Sequence, residues 1–200
     1  EISACLVGSE MCIRDSSSIC IYGGAINMMG VTLGRIGVKV KFVDPGDLGA
    51  WEAAVTDRTK AFFVEAIGNP NANVADIEAI AAIAHRHGVP MIVDSTFTTP
   101  YLLRPIDYGA DYVVHSATKF LGGHGTAMCG IVTDAGTFDF NGNPRFPLYT
   151  EPDVSYHGVV FAKDCGNAGF LSRLRAMMLR DLGGCCAPLS AFLIMQGIET

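Results

Sequence analysis

Basic clusters are missing from this chain. Its 200 residues hold 14 Lys and Arg against 20 Asp and Glu, a formal net charge of −6, and no basic run exceeds a pair. A nucleic-acid footprint needs a basic patch, so that class is set aside. No apolar run reaches the roughly 18 residues of a membrane span. The longest uncharged stretch, Ser16 to Gly34, is broken by Ser, Gly and Asn. The first residues, Glu1-Ile2-Ser3-Ala4, have neither the basic start nor the apolar stretch of a signal peptide. No CxxC pair occurs among the seven cysteines, at 5, 12, 20, 129, 165, 185 and 186, which argues against zinc. Their odd number and irregular spacing are those of buried free thiols in a reducing cytoplasm. Charged residues are scarce at 17%, whereas half the chain is hydrophobic and Gly occurs 23 times. This balance is opposite to that of disordered chains, and the length suffices for one substantial core.

The first fifteen residues stand apart. Cys5 to Ser16 fits no helical or strand period, resembles translated adapter sequence, and is set aside as foreign (1–15). The chain stops at Gln196-Gly197-Ile198-Glu199-Thr200 without a closing signal, so both ends read as cut. Between them the pattern is regular. Val38–Val43 alternates and ends at Asp44-Pro45-Gly46, as a strand does at a turn. Further strands are expected at 60–65, 90–94, 111–115 and 130–133. Short helices are expected at 48–55, at 187–196, and from a capping Asp76 to His87, with His85 and His87 as its polar end. Apolar strands alternating with helices predict an α/β sandwich with a mostly parallel sheet covered on both faces. In such sheets ligands lie outside the carboxyl ends of the strands. That rule singles out Glu65, Asp94 and the segment after His115.

The densest chemical signal is Ser116-Ala117-Thr118-Lys119-Phe120-Leu121-Gly122-Gly123-His124-Gly125. Two hydroxyls and a lysine directly follow an apolar strand, and the glycines allow close backbone approach. Hydroxyls and backbone N–H groups suit a phosphate dianion, and a neutral amine beside them condenses with an aldehyde. On spacing alone, a glycine-rich loop with a solvated lysine fits equally well. Lys119 precedes the glycines, so this is no Walker loop, and GxGxxG is absent too; a nucleotide-binding module is disfavoured. Asp94 ends an apolar strand, where a carboxylate needs a partner. A protonated pyridine nitrogen is one such partner, and a capped turn at Ser95-Thr96 is the other reading. Tyr22, before two glycines, suits stacking on a planar ring, although core tyrosines are commoner. Asn69 suits a phenolate oxygen, or simply a turn. The histidines show no metal-ligand spacing.

Taken together, five phrases carry a resemblance: Tyr22-Gly23-Gly24, Phe42-Val43-Asp44-Pro45, Glu65-Ala66-Ile67-Gly68-Asn69-Pro70, Ile92 to Pro100, and His115-Ser116-Ala117-Thr118-Lys119-Phe120. In order and spacing they resemble the Cys/Met-metabolism family of pyridoxal 5′-phosphate (PLP) enzymes, over residues 16–200. Gly122 to Thr126 and Phe146 to Gly158 are most similar to its O-acetylhomoserine sulfhydrylases. The resemblance implies the type I PLP-dependent transferase fold, with 16–200 as the central part of the large domain. It implies that Lys119 holds the cofactor as a Schiff base and shuttles protons. Asp94 pairs with the pyridine nitrogen, and Ser116 and Thr118 bind the phosphate. Tyr22 stacks on the ring and assists at the leaving group, Asn69 contacts the ring oxygen, and Thr96 lies beside the ring. The implied reaction is γ-replacement on O-acetyl-L-homoserine with sulfide, by a cytoplasmic homodimer or homotetramer using no metal, nucleic acid or membrane. Cystathionine γ-synthase, or methionine or cystathionine γ-lyase, is the second reading; an inactive fragment retaining the fold is the third. Among family features, the N-terminal loop that reaches a neighbour's phosphate, the Gly-Met phosphate loop and the substrate-carboxylate arginine fall outside this chain. Ser95 stands where many members have Asn, and Tyr112 where an aliphatic residue is usual.

Overall fold

A computed structural model describes residues 13–199. Its centre is a six-stranded sheet in the order β2-β1-β3-β4-β5-β6. The strands are β1 (Ile13–Ser18), β2 (Val38–Val43), β3 (Thr59–Glu65), β4 (Met91–Asp94), β5 (Tyr112–Ser116) and β6 (Gly130–Asp134). The first five pair in parallel, and β6 runs antiparallel to β5 along one edge. The longer helices are α1 (Gly23–Asn27), α2 (Leu48–Ala54), α3 (Ile77–Arg86), α4 (Gly169–Leu174) and α5 (Pro188–Ile198). Most of these elements fall within a residue or two of the bounds read from the sequence.

Side-chain alternation along β3 shows why the sheet is covered twice. Phe62 and Val64 face one core with Trp51 of α2 and Ile80 and Ala84 of α3. Ala61 faces the other, with Tyr112, Phe161 and Phe170. Trp51 and Phe62 meet with ring centroids 4.9 Å apart. Tyr112 is fully buried and stacks on Phe170 at 3.9 Å. Asp76 caps α3 by accepting the Ala79 N–H at 3.0 Å, and Asp47 caps α2 through Ala50 at 2.9 Å; each such cap contributes about 1 kcal/mol. Beyond α3, Gly88 turns the chain at φ +65°, a conformation that costs a residue with a Cβ. His85 Nε2 bonds Asp111 Oδ2 at 2.8 Å, and the same oxygen accepts the Met91 N–H at 2.8 Å, so the end of α3 is tied to the start of β4.

β1 is the strand that the sequence pattern does not predict. Residues 13–15, grouped by sequence with the irregular start, form its first half, while residues 1–12 lie outside the described residues. The strand shows no apolar alternation, so its place is set by its neighbours: Ser16 pairs with Phe62 and Ser17 with Phe63 on one side, and Phe42 faces Ser17 on the other. Asp15 is buried there. Its Oδ1 accepts the Ala61 N–H at 3.0 Å, and its Oδ2 has no hydrogen-bond partner among the described residues. Burial pushes its carboxyl up to about 7, against the opposing pull of that N–H.

The cysteines correct one expectation. Cys20, Cys129, Cys165, Cys185 and Cys186 are free, but none is buried: Cys185 is exposed and the others are half-buried. They sit at strand ends, in turns and in loops, where the sheet gives no full cover. Cys5 and Cys12 lie outside the described residues. No helix among the described residues is long and apolar enough to cross a membrane, and no group of three or more His, Cys, Asp or Glu is placed to hold a metal.

Candidate active site

The strand order reverses direction between β1 and β3. In open parallel sheets such a reversal leaves a crevice outside the carboxyl ends. Tyr22 lies just beyond β1 and Glu65 ends β3. The Tyr22 N–H donates to Glu65 Oε1 at 2.7 Å, joining the two sides of the reversal. The register places Glu65 opposite Asp94, and Asp94 opposite Val114, two residues before Ser116. Glu65, Asp94 and Ser116 therefore end three neighbouring strands on one face of the sheet.

Asp94 is held by its own turn. Its Oδ1 accepts the Thr96 N–H at 2.9 Å and the Thr96 hydroxyl at 2.5 Å. That hydroxyl oxygen accepts the Ser116 N–H at 2.8 Å. A donor chain thus runs from the end of β5 through Thr96 to the carboxylate. Asp94 Oδ2 makes no hydrogen bond among the described residues, so this oxygen remains available to a further donor. Beneath the turn, the buried hydroxyls of Ser95 and Thr98 bond each other, which gives Ser95 a structural role. Glu65 is a second carboxyl beside Asp94. Burial, aided by the Asp94 charge and opposed by the Tyr22 N–H, pushes it up to about 7. His115 is buried, its Nε2 has no hydrogen-bond partner among the described residues, and burial lowers its pKa while Asp94 opposes that shift.

Lys119 lies on the turn Ala117–Leu121 that follows β5, with an exposed side chain. Its backbone (φ −88°, ψ −124°) interrupts the turn. The Gly122 N–H closes the turn onto Ala117 O at 3.0 Å, and a Cβ on Gly122 would stand 2.7 Å from that oxygen. Gly122 in turn meets Ile194 and Gly197 of α5. Phe120 and Phe97 touch with centroids 5.5 Å apart, bringing the loops after β5 and β4 together. Thr118 Oγ1 accepts the Cys129 N–H at 3.1 Å. The Tyr22 ring is exposed and lies over Gly24, where any Cβ would collide with it. Asn69 is half-buried on the loop after β3.

The structure joins Asp94, Thr96 and Ser116 directly and ties Tyr22 to Glu65 through its backbone. Asn69, Thr118 and Lys119 share no hydrogen bond with these or with one another. A cavity of about 800 Å³ opens beside Asp94, His115 and Ser116, large enough for a small-molecule ligand. Glu65 and His115 belong to the site although no role follows for them from sequence. The available signals were Glu65 at the end of an apolar strand, as Asp94 is, and His115 next to Ser116.

Residues 7–200 match the family described as Cys/Met metabolism PLP-dependent enzyme. The chain belongs to that family. It is 49% identical over 182 residues to the homocysteine synthase of Schizosaccharomyces pombe, covering 90% of this chain and 42% of that protein. It is 44% identical over 192 residues to an O-acetyl-L-homoserine sulfhydrylase of Leptospira meyeri, covering 92% and 43%. The chain thus spans about two-fifths of the length of these relatives. Its fold superposes with a TM-score of 0.91, at 36% identity, on an O-acetylhomoserine (thiol)-lyase from Campylobacter jejuni that carries an N′-pyridoxyl-lysine-5′-monophosphate; all of this chain and 50% of that one are covered. The architecture is the type I PLP-dependent transferase fold in part. Pyridoxal 5′-phosphate is the cofactor of this PLP-dependent family, and the donor set found here suits it. A carboxylate with one uncommitted oxygen, a primary amine, two hydroxyls and an exposed aromatic ring lie on segments at the carboxyl end of one sheet.

Proposed function

We propose that the protein carrying this chain replaces the acetoxy group of O-acetyl-L-homoserine with sulfide, giving homocysteine and acetate. The observation that carries the reading is the ordered chain Ser116–Thr96–Asp94 at the strand ends, next to the Lys119 turn. The activities for which the relatives are named, and the phrases Gly122 to Thr126 and Phe146 to Gly158, favour sulfide as the incoming group over the synthase and lyase alternatives.

Pyridoxal phosphate, when bound, supplies an electron sink for carbanions formed beside its ring. The residues of this chain do the rest. Asp94 would pair with the ring nitrogen and keep it protonated, while Thr96 fixes the rotation of the carboxylate through Oδ1. Lys119 would anchor the cofactor by its amine and move protons at the substrate carbons. Thr118 Oγ1 accepts the Cys129 N–H at 3.1 Å and donates only a long bond, 3.5 Å, to Cys129 O, which a phosphate oxygen would replace; Ser116 would supply a second hydroxyl. Asn69 would donate to the ring oxygen. Tyr22 would stack on the ring and assist proton transfer at the leaving group. The substrate is a small amino acid, and the assembly is a cytoplasmic homodimer or homotetramer, to be checked by light scattering.

The test is to supply the purified full-length protein with O-acetyl-L-homoserine and either sulfide or cysteine. Homocysteine formed from sulfide, well above cystathionine formed from cysteine, supports the reading. Dominant cystathionine formation, or 2-oxobutyrate released without an acceptor, contradicts it.

A further inference from the structure

The Tyr22 ring is exposed and lies over Gly24, with little protein around it to fix its direction. Such a side chain is aimed through its main chain, because backbone φ and ψ decide which rotamers are open to it. The Tyr22 main chain is held from both sides. Its carbonyl oxygen accepts the Ala25 and Ile26 N–H groups at 2.8 and 3.0 Å, which starts α1. Its N–H donates to Glu65 Oε1 at 2.7 Å, a link across 43 positions of sequence.

Glu65 is a firm anchor for that link. It is buried at the end of β3, paired with Asp94, and the Ala66 N–H that follows it donates to Asp94 O at 2.9 Å. Its Oε2 is buried with no hydrogen-bond partner among the described residues. A carboxyl is costly to bury, and here burial pushes it up to about 7. Oε1 can accept from the Tyr22 N–H in the neutral and the ionised form alike, so the link does not depend on that titration. A group this costly, bonded to the Tyr22 main chain, serves to hold that residue.

We propose that Glu65 is a positioning residue for the γ-replacement reaction: it holds the Tyr22 main chain beyond β1 and thereby sets the Tyr22 ring at the strand ends that carry Asp94. This rests on the role given to Tyr22 under the proposed function. The chain leaving β1 is fixed as far as Cys20, where the Ile19 N–H donates to Val43 O at 2.8 Å and the Cys20 N–H to Ser18 Oγ at 3.0 Å. Ile21 is then buried, and at Tyr22 the Glu65 carboxyl supplies the bond that crosses to β3. Without that bond the joint between β1 and α1 can turn. A displacement of about 1 Å at a reacting group costs on the order of 100-fold in rate. Glu65 acts through Tyr22 and needs no contact of its own with cofactor or substrate.

The experiment compares full-length wild type with Glu65→Met, which keeps the length and removes the acceptor, Glu65→Gln, which keeps the acceptor, Tyr22→Ala, and the Glu65→Met/Tyr22→Ala double variant. With pyridoxal phosphate bound, kcat of Glu65→Met is expected to fall by about 10- to 100-fold with KM within about twofold, and Glu65→Gln to retain most of the activity. In the Tyr22→Ala background Glu65→Met is expected to add little, since two residues acting through one contact are not additive. Without cofactor, hydrogen exchange at the Tyr22 amide is expected to quicken in Glu65→Met and not in Glu65→Gln. Unchanged Tyr22 exchange, an unimpaired Glu65→Met, a loss in Glu65→Gln as large as in Glu65→Met, or fully additive losses in the double variant would each overturn the proposal. Absence of homocysteine from the wild type would count against the proposed function instead, and the exchange measurement, made without cofactor, would still decide whether Glu65 holds Tyr22.

Discussion

Thr96 stands between Asp94 and the end of β5, giving its hydroxyl proton to Asp94 Oδ1 and taking the Ser116 N–H on its oxygen. The threonine therefore sets the rotation of the carboxylate and the position of Ser116 together. Thr96→Val keeps the shape and removes both bonds. A lost hydrogen bond to a charged group corresponds to roughly 10- to 100-fold in rate. We expect kcat/KM to fall by that much, with Thr96→Ser restoring most of it. Steady-state kinetics on the three proteins decide; an unimpaired valine variant would show that the bridge has no part in the chemistry.

Asp94→Ala takes away the charge facing the ring nitrogen and is expected to impair turnover far more than folding. Comparison of kcat with the urea midpoint checks this. Turnover near wild type with pyridoxal phosphate bound would remove Asp94 from its role.

Asp15 and Glu65 make stability depend on pH in an unusual direction. Both carboxyls are pushed up to about 7, from 3.8 and 4.5. The folded state thus binds their protons more tightly than the unfolded state does, so their contribution favours folding at low pH and is lost as pH rises from about 4 to about 7. At pH 8 the penalty at Asp15 is of the order of 4 kcal/mol, from about 1.4 kcal/mol per pH unit. Asp15→Asn keeps an acceptor for the Ala61 N–H and removes the charge. Its melting temperature is expected to exceed that of wild type at pH 8 and to converge with it toward pH 4. Glu65→Gln follows the same course while keeping an acceptor for Tyr22. A difference from wild type that does not change with pH would show that neither carboxyl titrates as described.

Tyr112 stacks on Phe170, but its buried hydroxyl has no hydrogen-bond partner among the described residues. Tyr112→Phe retains the stack and removes an unsatisfied donor, so denaturant unfolding is expected to show a gain of about 1 kcal/mol. A loss of similar size would mean that the hydroxyl is bonded in solution.

Much of this architecture was legible because the pattern and the packing coincide. Val38–Val43 alternates where β2 is found, and the Asp76 side chain caps α3 as the sequence suggests. Asp94 and Ser116 were legible for the same reason: each polar residue closes an apolar strand. β1 was not legible. A run of Arg, Asp and Ser has no strand period, and only pairing on both sides makes it the second strand of the sheet. The joint dependence of Asp94 and Ser116 on Thr96, and the approach of α5 to Gly122, arise from contacts distant in the chain that no local spacing encodes.

The central claim is that Lys119 is the lysine that holds pyridoxal phosphate. The direct measurement is borohydride reduction of the cofactor-loaded full-length protein, followed by peptide mass mapping. The account predicts one phosphopyridoxyl group, on Lys119, and none on the Lys119→Ala variant. Labelling of a different lysine, or undiminished labelling of the variant, would contradict it.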